Sequence, residues 1–109
     1  MVIILYICIM VEYCYIVHVR EFVNTNQNIY RIGKTKQKNI KRFEQYPKGS
    51  CLIIQIEVDN CDIFEQQIIH LFNIKYIKRK NIGTKYYQGN IQNMIYDFLE
   101  LYKLQCTKI

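Results

Sequence analysis

Tryptophan is absent from this chain, proline occurs once, and glycine occurs four times in 109 residues. So little punctuation excludes a collagen-like, linker-like or low-complexity chain. Acidic residues are also scarce: nine Asp and Glu stand against fifteen Lys and Arg, a formal net charge of +6. That excess attracts polyanions and makes nucleic acid the leading class of partner. No pair among the five cysteines, Cys8, Cys14, Cys51, Cys61 and Cys106, has the two-residue spacing of a zinc knuckle or redox motif. An odd set of thiols without such spacing reads as reduced and mostly buried cysteine in an intracellular protein. Nothing in the spacing supports His18 or His70 joining them in a metal site, and no metal ligands are assigned.

A long apolar run is missing too. The segment "MVIILYICIMV" is apolar, but Glu12 interrupts it well before the roughly 20 residues that span a bilayer. It has no basic region ahead of it and no clear small-residue cleavage site, so neither a membrane span nor a signal peptide is expected. Residues 1–12 are read as an apolar N-terminal extension, either one more element on the core or a stretch upstream of a start at Met10.

What the chain does have is apolar and aromatic content. Half its residues are hydrophobic and 14% aromatic, with ten tyrosines, which is a globular composition. A single domain is expected over residues 13–105. Residues 13–19, "YCYIVHV", and 28–33 read as two strands joined through a polar turn at 24–28, a hairpin with a wide loop. Residues 36–46 read as a helix with Ile40 and Phe43 inward, stopped by Tyr46, Pro47 and Gly49. "CLIIQIEV", residues 51–58, is apolar on both faces at first and reads as a central strand. Asn60 or Asp62 can cap the next helix, whose apolar side carries Ile63, Ile68, Leu71 and Phe72. Residues 75–80, "KYIKRK", read as a short basic strand or edge segment, and residues 83–89 as a turn, a short strand and a turn. Asn90 caps a last helix through Ile91, Met94, Ile95, Phe98 and Tyr102. The fold class is α+β, a small mixed sheet that opens with a β-hairpin and is flanked by three helices.

One stretch stands out. "IYRIGKTKQKNIKRF" puts Gly33, Lys34 and Thr35 after a strand and ahead of a basic segment. A phosphate-cradling P-loop would need a glycine at position 28, which is Asn28, and would need a loop where the pattern gives a strand. A different set of motifs fits. The first strand opens Tyr13, Cys14, Tyr15, Ile16. The second ends Tyr30, Arg31, Ile32, Gly33, Lys34, Thr35, and Arg42 lies in the following helix. Later come Glu65, His70, Leu71 and Phe72, then Gly83, Thr84, Lys85, Tyr86 and Tyr87. In order and spacing this resembles the GIY-YIG nuclease superfamily, over residues 13 to 98. It looks closest to the compact DNA-binding branch of phages and large DNA viruses, often found with BRO-type domains. The abundance of Ile, Lys, Asn and Tyr, typical of an AT-rich genome, agrees with such a source.

The resemblance implies phosphodiester chemistry. In that family a hairpin tyrosine helps activate water, an arginine binds the scissile phosphate, and one glutamate holds a divalent metal. Tyr15 and Arg42 match the tyrosine and the phosphate arginine. The tyrosine of the second triplet falls at Arg31, with Tyr30 one residue early. Strand side chains alternate, so only one of Tyr30 and Arg31 can share a face with Tyr15, and Arg31 is preferred. The metal glutamate falls at position 85, where this chain has Lys85. A lysine cannot ligate a divalent cation. The expected function is therefore binding to the backbone of double-stranded DNA, with nuclease activity weakened or lost. Lys34, Lys41, Lys75, Lys78, Arg79 and Lys80 are the further candidate contacts. The alternatives are an active endonuclease dependent on Mg²⁺ or Mn²⁺ through another carboxylate, Glu57 or Glu65, and a viral protein-interaction module. No small-molecule cofactor and no membrane partner are expected. The expected location is intracellular, in the cytoplasm or nucleus of a host cell if the source is viral.

Overall fold

The computed structural model describes residues 11–36 and 44–106. The expected helix over 36–46, with Ile40, Lys41, Arg42 and Phe43, lies almost wholly outside them. Its described ends, Lys36 and residues 44–46, are bend and turn. Residues 1–10 of the expected extension also lie outside. In chain order the elements are β1 (Glu12–His18), α1 (Arg20–Asn24), β2 (Ile29–Thr35), β3 (Cys51–Val58), α2 (Cys61–Lys75), β4 (Ile77–Lys78), β5 (Tyr86–Gln88) and α3 (Ile91–Cys106).

The fold is a small α+β domain built on a five-stranded sheet in the order β3-β1-β2-β5-β4. A mixed sheet was expected, but all four pairings are antiparallel. β2 and β3 run parallel to one another without touching, because both pair with β1 between them. β3 matches its expected bounds yet sits at the sheet edge rather than the centre. An apolar run reports burial potential, not position in the sheet, and only the topology decides the latter. The hairpin loop also holds an unexpected short helix, α1. Its residues have no strong helical pattern. Phe22 anchors it by packing, 6% exposed, against Tyr15, Val17 and Ile29. Asn26 closes the turn with φ of 53°, a left-handed conformation that asparagine tolerates.

The two sheet faces have different covers. Cys14, Ile16, Tyr30 and Ile32 face α2 and α3, against Phe64, Ile68, Phe72, Met94 and Phe98. Phe64 meets Phe98 edge-on at 5.3 Å and joins the two helices. α2 starts at Asn60, whose side chain accepts from the N–H groups of Asp62 and Ile63. The opposite face carries Tyr15, Val17 and Ile29, covered by α1 and flanked by Tyr46, Ile82 and Tyr86. Among the described residues no helix is long and apolar enough to cross a membrane.

Candidate nucleic-acid interface

Cross-strand partners in an antiparallel sheet share a face. Tyr15 pairs with Gly33, Val17 with Arg31, and Tyr13 with Thr35, so these six residues lie on the face that carries α1. Tyr30 pairs with Tyr87 on the helix face. Arg31, not Tyr30, therefore shares a face with Tyr15.

Gly33 lies inside β2, two residues short of its end, rather than closing a strand over 28–33. Its role is close approach. The Tyr15 ring lies against it, and a Cβ at position 33 would fall 2.2 Å from Tyr15 Cζ. With the ring lying there, the Tyr15 hydroxyl is 3.0 Å from the Tyr46 hydroxyl, and either can donate. Arg31 Nη1 donates to the same Tyr46 oxygen, its guanidinium 5.7 Å from the ring centre. Tyr46 was legible only as a helix stop, because its contacts lie 15 and 31 residues away in sequence.

The row continues across the sheet. Arg31 pairs with Tyr86, and the N–H of Arg79 donates to the Tyr86 carbonyl at 2.9 Å. Arg31, Tyr86 and Arg79 thus line up on the α1 face, with the two arginines separated by two strand spacings, roughly 10 Å. Arg79 Nη1 donates to Gln88 Oε1 at 2.9 Å and its Nε to Asn81 Oδ1 at 3.3 Å. Tyr86 covers Gly83 much as Tyr15 covers Gly33, with ring carbons 2.8 Å from where a Cβ would stand.

The lysines are differently engaged. Every ion pair made between described residues uses a lysine. Lys34 lies on the helix face, 2.6 Å from Asp62 and 3.6 Å from Glu65. Its ammonium, hydrogen-bonded to Asp62, holds that carboxyl below the ordinary aspartate range and is itself raised. Lys75 pairs with the buried Asp97 at 2.7 Å. Lys78 lies over the Tyr87 ring on the helix face, and Lys80 is exposed in a turn. The basic run 75–80 is therefore split between faces, and only Arg79 joins Arg31. Lys41 and Arg42 lie outside the described residues.

Lys85 requires a correction. It stands across from Ile32, whose N–H donates to the Lys85 carbonyl at 3.0 Å, so its side chain projects to the helix face. There its Nζ contacts both carboxylate oxygens of the buried Glu65 at 3.0 Å. Position 85 is thus on the opposite side of the sheet from Tyr15 and Arg31, and neither it nor Glu65 fits a divalent metal beside them. His70 is exposed on α2, also on the helix side. Glu57 pairs with Tyr13 and so lies on the α1 face, one cross-strand row from Tyr15.

No family model, curated protein or solved structure matches the chain.

Among the described residues, the two buried cysteines, Cys14 and Cys61, offer no second chemistry. Cys14, Cys51 and Cys61 carry free thiols. Burial raises the Cys14 thiol well above its ordinary value and pushes Cys61 up to about 11, so both stay protonated and inert.

Proposed function

We propose that this chain is a GIY-YIG-like domain that binds the phosphate backbone of double-stranded DNA through the α1 face of its sheet, with nuclease activity weakened or lost. One observation carries the reading. Arg31 and Arg79 share a cross-strand row and are oriented by neutral oxygens of Tyr46, Gln88 and Asn81, while the paired lysines are neutralised by carboxylates. A guanidinium held in place with its charge uncompensated is prepared for a bidentate phosphate. Tyr15, Tyr46 and Tyr86 supply hydroxyls and ring faces beside the two forks. The reading of weakened chemistry is supported by Lys85, a lysine where the resemblance implies the metal carboxylate, which turns to Glu65 on the opposite side of the sheet from Tyr15.

Glu57 favours a second reading. It is a carboxylate on the α1 face, and a divalent-metal endonuclease could recruit it. The two readings separate in one pair of assays: titration of unrelated DNA duplexes, and plasmid nicking with and without Mg²⁺ or Mn²⁺. The expected result is similar affinity for each duplex, weaker binding for Arg31→Lys, and no nicking. Metal-dependent nicking that Glu57→Gln abolishes would establish the second reading. Failure to bind any duplex would remove both and leave a protein-interaction module.

A further inference from the structure

The two edges of the sheet are built differently. The β4 edge is only two residues long and lies within the basic run Lys75, Lys78, Arg79 and Lys80. Brevity and positive charge are the usual guards against strand addition. The β3 edge has neither guard. It runs for eight residues, Cys51–Val58, with no lysine, arginine or proline and a single charge at Glu57. Among the described residues its only neighbour is β1, so one side of its backbone pairs with no strand.

Its side chains are also incompletely covered. Leu52 is 39% exposed, and Ile53, Ile54 and Ile56 pack on the core while remaining only partly buried. This is the composition of a central strand at the edge of a sheet.

We infer that the outer edge of β3 pairs antiparallel with the β3 edge of a second copy of this chain, giving a continuous ten-stranded sheet. β3 is its own best partner. A two-fold axis perpendicular to the sheet keeps each face in register with itself, so Ile54 and Ile56 of both copies lie on the helix side and Gln55 and Glu57 on the other. In a register centred near Ile54 or Gln55, Glu57 meets an uncharged residue and never its own copy. Pairing β3 with the partner's β4 would offer only two residues and would leave an open chain of copies. The inference does not depend on nucleic-acid binding.

A single strand pair buries less than the roughly 1,200 Å² of a standard interface, so the dimer depends on concentration. Sedimentation equilibrium on the full chain over a concentration series tests it, together with hydrogen exchange of the β3 amides not bonded to β1. Expected are a monomer–dimer equilibrium and slower exchange of those amides as concentration rises. Leu52→Lys places a charge on the edge while its stem can still lie along the sheet, and it should weaken association at least about tenfold. If that variant does not fold, the exchange measurement on the wild type decides. A wild type that stays monomeric up to about 1 mM, the weak end of specific affinity, overturns the inference. So does a dimer whose β3 amides exchange no more slowly than in the monomer, or a folded Leu52→Lys that dimerises unchanged.

Discussion

At the scale of single residues, Gly33 and Tyr15 act as one unit. The absence of a side chain at position 33 lets the Tyr15 ring lie across the strand and brings its hydroxyl to Tyr46, which in turn holds Arg31. Gly33→Ala should displace the ring, since a Cβ 2.2 Å from Cζ cannot be accommodated in place. We expect a loss of about 1–3 kcal/mol in stability from overpacking. Binding should weaken further than stability alone explains, as Arg31 loses its oriented partner. Denaturant unfolding and duplex titration of the same variant check both effects. Lys85 makes the opposite kind of statement. Lys85→Glu would put a second carboxylate against the buried Glu65, which now contacts Lys85 through both oxygens. The expected result is destabilisation of about 3 kcal/mol and no nicking with Mg²⁺ or Mn²⁺. Nicking gained by that variant would return position 85 to the side of Tyr15 and Arg31.

At the scale of elements, the start of α2 is tied to the sheet by charge. Glu12 of β1 accepts from the Cys61 N–H at 2.9 Å, and that hydrogen bond holds its carboxyl below the ordinary value of 4.5. A depressed carboxylate contributes stability above its unfolded value and loses it as pH falls through the folded one. Glu12→Gln should therefore cost about 1 kcal/mol at neutral pH. The gap to the wild type should close as pH falls below 4.5. A gap that widens in acid would show that another group dominates. Elements were the most legible level in the sequence. The periodicity of 61–75 and 91–106, the caps Asn60 and Asn90, and the run 51–58 are all local signals, and each produced its element. The helix α1 was not legible, because the packing of Phe22 onto the strands on either side of it, not a local pattern, holds it. Nor was the edge position of β3, because strand order is a property of the whole sheet.

At the scale of the whole molecule, the sheet separates two kinds of charge. On the helix face, lysines neutralise Asp62, Glu65 and Asp97, tying α2 to β2, to the turn before β5 and to α3. On the α1 face, two arginines in one row keep their charge in a setting of tyrosines. Sequence supplied the candidate list, and Tyr15 and Arg31 share a face as strand alternation suggested. It could not show which lysines were already neutralised. Those pairings join residues about 20 to 28 positions apart and depend on register. The most direct test of the proposed phosphate-binding face is the salt dependence of duplex affinity, measured for the wild type and for Arg31→Ala with Arg79→Ala. Each phosphate contact contributes roughly 0.9 to the slope of log K against log salt, so the wild type should show about −2 to −4 and the double variant a slope shallower by about 2. A wild-type slope near zero, or a double variant with the wild-type slope, would contradict it.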